Sequence, residues 1–131
     1  MCSNIFYLQE QLQRLIAERT NDNTVMIGEQ SPTIGEMRDY LLKQSFYLQL
    51  EVIELIESIA GSNDVMKPWK QSYADIGNVK FETSDAIKSE AIDMLCFCIN
   101  MCLAVGITKD NVLHEYSKVF NKNTERQLNG Y

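Results

Sequence analysis

The chain has 131 residues, 45% of them hydrophobic, which predicts a single domain over residues 1–131 with a packed core. Its 18 acidic and 12 basic residues give a net charge of -6, which argues against general affinity for nucleic acid or for anionic membranes. The start of the sequence does not read as a secretory signal and its longest apolar run is too short to span a bilayer, so we expect a cytoplasmic protein.

Helical periodicity dominates the first half of the chain, and strand-like alternation is scarce. A first helix is predicted over about residues 3–18. Thr33 and Glu36 form a capping-box pattern, which predicts the start of a long helix. We expect this helix to run to Ala60 and to end at Gly61, a residue typical of helix C-termini.

The second half of the chain begins with an irregular segment over residues 61–83 and then returns to helical periodicity. Ser84 or Asp85 is expected to cap a strongly apolar helix that ends before Gly106. Thr108 is expected to cap a last helix that runs to about Asn123. The predicted fold class is therefore all-α, a bundle of four to five helices.

Two short acidic repeats lie on two different predicted helices: Glu51 with Glu54, and Glu90 with Asp93. Residues three apart face the same side of a helix, so each repeat aims two carboxylates in one direction. The residues between them are apolar, and carboxylates that converge beside a core need cations to stay ionised together. The repeats predict a site for Mg²⁺, or for Mn²⁺ in its place, and phosphate chemistry. The alternative is two solvated acidic helix faces.

Two other classes of metal site fit the sequence poorly. A di-iron carboxylate bundle needs Glu-x-x-His pairs, and the single histidine, His114, is not in one. A zinc site is disfavoured because Cys96, Cys98 and Cys102 form no Cys-x-x-Cys motif. These three cysteines share one apolar run, so we expect buried, reduced thiols.

Three further groups of residues have the chemistry that a nucleoside triphosphate requires. Lys118, Lys122 and Arg126 recur every four residues, and they suit a triphosphate if the helix continues past them; otherwise they form a solvated basic face. The amides of Gln9 and Gln13 are one helical turn apart and suit the edge of a base, although both residues could lie on the surface. A third group, Trp69 with Lys70, is either a packing anchor or a wall of a nucleotide pocket.

The order of these features resembles a known family. Residues 88–93, Lys-Ser-Glu-Ala-Ile-Asp, are followed by Phe97, Asn100 and Gly106, and the chain ends with an Asn-x-x-Arg-Gln-x-x-Gly-Tyr pattern over residues 123–131. Together with the acidic pairs, the Trp-Lys loop and the two glutamines, this pattern resembles the all-α NTP pyrophosphatase superfamily. Within it, the chain is similar to the dimeric dUTPases and to the dCTPase-dUTPase of tailed phages.

The resemblance implies hydrolysis of dUTP, dCTP or both to the monophosphate and pyrophosphate by a homodimer, in the host cytoplasm if the protein is phage-encoded. It assigns Glu54 as the catalytic residue and the two acidic pairs as magnesium ligands. It assigns the binding of the substrate to the side chains of Gln9, Gln13, Trp69, Lys70, Asn100, Lys118, Lys122, Asn123, Arg126 and Tyr131.

Several positions depart from the family pattern. Gln13 stands where many dUTPases have Asn, and a glutamine amide can meet either the O4 acceptor of uracil or the N4 donor of cytosine. Lys118 lies one position before the usual lysine, so Lys118 and Lys122 compete for one role. The competing functions are a broader MazG-like pyrophosphatase acting on purine or non-canonical nucleotides, and a non-enzymatic helical interaction module whose acidic pairs diverge into solvent.

Overall fold

A computed structural model describes residues 2–20 and 31–130, with side chains for 4–20 and 31–130. Within these ranges it contains five α-helices and no strand, and a short 3-10 helix, Asn63–Met66, follows the second helix. The predicted all-α fold class is confirmed. The helices are α1 (Cys2–Thr20), α2 (Ile34–Ala60), α3 (Gln71–Gly77), α4 (Asp85–Ala104) and α5 (Val112–Asn129).

Local hydrogen bonds explain where α2 and α4 begin. The backbone N–H of Glu36 donates to Thr33 Oγ1 at 3.1 Å, and the Thr33 N–H donates to Glu36 Oε1 at 3.2 Å. This reciprocal pair is the predicted capping box, and α2 ends at Ala60 before Gly61, which has a φ of 68°. At α4 the Ile87 N–H donates to Ser84 Oγ at 3.2 Å, so Ser84 is the capping residue.

The last helix differs from the prediction at both ends. It begins at Val112 rather than directly after Thr108, because residues 108–111 form a separate turn. In this turn the Thr108 N–H donates to Asn111 Oδ1 at 2.8 Å, and Asn111 Nδ2 donates to the Gly106 carbonyl at 3.0 Å. The prediction that Thr108 caps the helix is therefore wrong. The predicted end near Asn123 is also wrong, since α5 continues to Asn129.

The described residues divide into two compact units, and the prediction of a single domain over 1–131 stays a prediction. The first unit takes its residues from Met1–Tyr40 and Ile99–Tyr131, and α1 contacts α5 in it. Its buried apolar side chains are Phe6, Tyr40, Ile99, Leu103 and Ala104. The second unit, Leu41–Cys98, contains most of α2 and of α4, whose Tyr47 and Phe97 rings lie 5.8 Å apart.

The first unit leaves large apolar side chains exposed along α1 and α5. Leu8 on α1 is 64% exposed, while Tyr116 and Phe120 on α5 are 70% and 58% exposed. Burial of such groups stabilises a protein by about 25 cal/mol per Å² of apolar surface, so covering this surface would be favourable. None of the helices in the described ranges combines the length and hydrophobicity that a membrane span requires.

The cysteines of α4 are less buried than the sequence predicts. Cys96 and Cys98 are free thiols of intermediate exposure, and Cys102 is also only partly covered. The apolar sequence of α4 is covered mainly at its C-terminal end, where Ile99 and Leu103 are buried, while Ile92 is 56% exposed.

Candidate functional site

Three of the four predicted carboxylates converge within the second unit. Glu51 and Glu54 are neighbours on one face of α2, and Glu90 is in the first half of α4. One carboxylate oxygen from each lies within 4.8 Å of the others. The helical spacing brings the first two together, and the packing of α4 brings the third.

Two of these carboxylates are in an unfavourable environment as they stand. Oε2 of Glu51 and Oε2 of Glu90 are inaccessible to solvent, and neither has a hydrogen-bond partner among the described residues. Burial raises the pKa of Glu51, and the negative charges of Glu54, Asp93 and Glu90 raise it further. A buried polar group without a partner costs about 1–3 kcal/mol, so a positively charged or hydrogen-donating group at these two oxygens would stabilise the protein.

A divalent cation fits this environment. Carboxylate oxygens are the ligands that magnesium prefers, and a cation held among them would satisfy the two buried oxygens and offset the repulsion. Asp93 is exposed and does not belong to the close group of three, yet its charge acts on Glu51. Glu54 is also exposed, and it is the member of the close group most open to solvent.

The predicted base-reading residues form a buried amide cluster in the first unit. Gln9 and Gln13 on α1 are 7% and 6% exposed, so the alternative of surface glutamines does not hold. Gln9 Nε2 donates a hydrogen bond of 2.8 Å to Oδ1 of Asn100, which is 3% exposed. One partner of Asn100 is thus the Gln9 amide, and its predicted contact with deoxyribose stays a prediction.

The Trp-Lys loop belongs to the second unit. Trp69 is 77% exposed, so it is not a packing anchor among the described residues. Lys70 immediately precedes α3, and its Nζ lies 3.1 Å from Oδ1 of Asp64. The indole is therefore available to a ligand, while the neighbouring ammonium already has an acidic partner.

The predicted phosphate-binding residues lie along α5 in the first unit. Because α5 continues to Asn129, Lys118, Lys122 and Arg126 occur on one helix at four-residue intervals, which places them on one face. Lys118 donates to Glu115 Oε2 at 2.8 Å, and this bond lowers the pKa of that carboxyl. Asn123 is exposed on the same helix, and Tyr131 lies outside the described residues.

Two polar residues with structural roles were not singled out from the sequence. Asp64 accepts hydrogen bonds from Lys70 and Ser72, and the cluster of turn-forming residues around it was the only local signal. Gln44 is 8% exposed in the middle of α2, seven residues before Glu51. Its helical spacing from Glu51 placed it on the face of the carboxylates and could have identified it.

Comparisons with known proteins agree with the chemistry of these residues. A dCTP pyrophosphatase of Enterobacteria phage LZ5 is 31% identical to this chain over 111 residues, covering 76% of the chain and 64% of the relative. The chain resembles phage dCTP pyrophosphatases. A second relative with this name, from Enterobacteria phage T4, is 27% identical over 111 residues and is covered to 65%.

Both matches cover only part of the relatives, and this limits what can be said of this chain from them. The chain spans just under two thirds of the length of both relatives, so the reaction in their name is theirs, and for this chain it is a proposal. No protein-family profile matches the chain, and no solved structure matches it. The predicted resemblance to the phage dCTPase group is confirmed.

Proposed function

We propose that this protein is a magnesium-dependent pyrophosphatase that hydrolyses dCTP, dUTP or both to the nucleoside monophosphate and pyrophosphate. The observation that carries the proposal is the convergence of Glu51, Glu54 and Glu90 within 4.8 Å, with two buried oxygens that lack hydrogen-bond partners in the part of the chain that the structure describes. The names of the two phage relatives support a nucleotide substrate and a pyrophosphatase reaction. An interaction module predicts diverging, solvated carboxylates, and the close group of three is the opposite arrangement.

In this proposal Glu51, Glu54, Glu90 and Asp93 hold the metal. When bound, Mg²⁺ or Mn²⁺ would neutralise charge on the phosphate oxygens and lower the pKa of the attacking water. The chain's part is to hold three of these carboxylates close together, with Asp93 near enough for its charge to act on Glu51. Burial of Glu51 and Glu90 helps, because it favours binding of a cation over hydration of the carboxylates.

Glu54 is the proposed general base. It is exposed, whereas Glu51 and Glu90 each have an oxygen that solvent does not reach, so Glu54 has the best access to a water molecule. Its carboxylate would accept a proton from the water as oxygen attacks phosphorus. The bond between the attacked phosphorus and the oxygen that bridges the α- and β-phosphates then breaks. The leaving group, which takes the bonding electrons, is pyrophosphate if the α-phosphorus is attacked and the nucleoside monophosphate if the β-phosphorus is attacked.

The base is assigned to the buried amide cluster. Gln9, Gln13 and Asn100 offer donors and acceptors in a site shielded from water, where a mismatched polar edge is costly. Trp69 is proposed to stack on the base or sugar. The triphosphate is assigned to the basic side chains and to the C-terminal residues: Lys70, Lys118, Lys122, Asn123, Arg126 and Tyr131.

We also propose that the working form is a homodimer. The support is the exposed apolar surface of the first unit, including Leu8, Leu12 and Leu15 on α1 and Tyr116 and Phe120 on α5. Exposed apolar patches of this kind are typical of protein interfaces, and a second copy would present the same patch for a two-fold contact.

A direct assay tests the reaction. The protein is incubated with magnesium and each of dCTP, dUTP, dATP and dGTP in turn, and pyrophosphate release is measured. We expect release from dCTP, dUTP or both, and its loss when EDTA is added. Absence of release from both pyrimidine nucleotides would refute the proposal, and equal release from the purine nucleotides would favour a MazG-like enzyme.

A further inference from the structure

Asp64 is the centre of a hydrogen-bonded cluster in the segment between α2 and α3, and the proposed reaction does not use it. Its Oδ1 accepts a hydrogen bond from Lys70 Nζ at 3.1 Å, and its Oδ2 accepts one from Ser72 Oγ at 2.8 Å. The ammonium of Lys67 is 3.7 Å from the same Oδ1. One carboxylate therefore contacts cationic side chains on both sides of Trp69.

The backbone of the same segment is folded into consecutive turns. The Lys67 N–H donates to the Asp64 carbonyl at 3.0 Å, and the Lys70 N–H donates to the Lys67 carbonyl at 3.0 Å. Ser62 Oγ accepts from the Asp64 N–H at 3.1 Å, which places the start of the 3-10 helix. Trp69 itself is 77% exposed, so its position depends on these turns more than on packing of the indole.

The hydrogen bonds around Asp64 are suited to holding the side chain of Lys70 in place. The hydrogen bonds from Ser72 and Lys70 hold the pKa of the Asp64 carboxyl below its usual range, so it is charged at neutral pH. A lysine ammonium has three donors, so a bond to Asp64 leaves others for phosphate oxygens. Fixing a flexible side chain before binding reduces the entropy lost when the ligand arrives.

We propose that Asp64 is a positioning residue, which holds Trp69 and Lys70 in the arrangement that receives the nucleoside triphosphate. This inference rests on the proposed function, because it takes Lys70 as a phosphate ligand. Asp64 acts on the affinity for substrate and not on the chemical step, since its contacts are with the loop and not with the carboxylate cluster. Loss of its carboxylate should therefore raise KM and leave kcat nearly unchanged.

The first test needs no substrate. Trp69 is the single tryptophan of the chain, so tryptophan fluorescence, excited selectively over the six tyrosines, reports on this loop. In Asp64→Ala we expect lower steady-state anisotropy and stronger quenching by acrylamide than in the wild type. Asp110→Ala is the matched control, because it removes an exposed aspartate that also pairs with a nearby lysine, Lys109, at 3.4 Å. Unchanged Trp69 fluorescence in Asp64→Ala would overturn the inference.

The second test is kinetic. Asp64→Ala should raise KM for the nucleotide that the wild type hydrolyses by about three- to tenfold, as expected for loss of a charge-assisted contact, with kcat changed by less than about twofold. Ser72→Ala keeps the charge and should give a smaller rise in KM, which also covers the case in which Asp64→Ala does not fold. Asp110→Ala should match the wild type.

A double-mutant cycle shows whether Asp64 acts through Lys70. If it does, Asp64→Ala should add little to the effect of Lys70→Met on KM. Additive effects, or an unchanged KM in Asp64→Ala, would overturn the positioning role while the proposed function stands. A wild-type protein inactive on every nucleotide would refute the proposed function, and the positioning role with it, whatever Trp69 reports.

Discussion

Replacement of Glu51 by glutamine should stabilise the metal-free protein. At 4.8 Å, the upper limit of the separations within the cluster, two negative charges repel by about 0.9 kcal/mol in water and about 3.5 kcal/mol at the effective dielectric of a protein surface. Glu51→Gln removes the repulsion from Glu54 and from Glu90, and its new amide can donate to either of them. Because Glu54 is exposed and its charge is screened, we expect a value near the lower end of this range. The free energy of unfolding should rise by about 1–2 kcal/mol.

The pH dependence of this gain has a definite sign. The pKa of Glu51 is raised in the folded protein, so the wild type loses stability as pH rises through that pKa. At a pH below the ordinary pKa of a glutamate, Glu51 is protonated in both states and the variant has no advantage. The difference should therefore grow from acidic to neutral pH and then stay constant.

Thermal unfolding with and without magnesium is the assay. A gain of about 1–2 kcal/mol corresponds to a rise in Tm of about 4–7 °C for a chain of this length. With magnesium at about 100 times its dissociation constant, the wild type should gain about 2.7 kcal/mol and the variant much less, so their order reverses. Glu57→Gln, one turn further along α2 and outside the close group, is the control. A metal-free variant less stable than the wild type would refute this reasoning.

Three other substitutions test the remaining assignments. Glu54→Gln should lower kcat by at least about 100-fold with an unchanged circular dichroism spectrum, and near wild-type turnover would remove Glu54 as the base. Asn100→Ala should cost about 1–3 kcal/mol in urea unfolding because it leaves the Gln9 amide buried without this partner; a cost under about 0.5 kcal/mol would contradict it. Phe120→Glu should convert a dimer to monomers in light scattering, and an intact dimer would exclude this part of α5 from the interface.

Local sequence patterns predicted the helices well where short-range hydrogen bonds decide their ends. Thr33 and Glu36 cap α2 as expected because the reciprocal bonds join residues only three apart. Thr108 failed as a cap because its hydroxyl accepts from the Asp110 N–H within the turn, and the side chain of Asn111 bonds both Thr108 and Gly106. Propensity alone could not rank these two alternatives.

In the candidate site, too, short-range features could be predicted from the sequence and long-range contacts could not. Spacing predicted that Glu51 and Glu54 share a face of α2, since helix geometry determines it. Spacing could not predict that Glu90 would come within 4.8 Å of both, because this depends on how α4 packs in the second unit. The bond from Gln9 to Asn100 likewise joins residues 91 positions apart, and turn-forming residues around Asp64 did not indicate its bond to Ser72.

The sequence by itself determined the all-α class, most helix ends and which residues carry carboxylate, amide or ammonium groups, because these follow from residue type and from contacts within one or two turns. Only the tertiary structure decided which of these groups meet, and which oxygens are cut off from water without a partner. That second fact gives the acidic pairs their meaning, since exposed carboxylates tolerate repulsion, whereas partly buried ones are stabilised by a bound cation or by a proton.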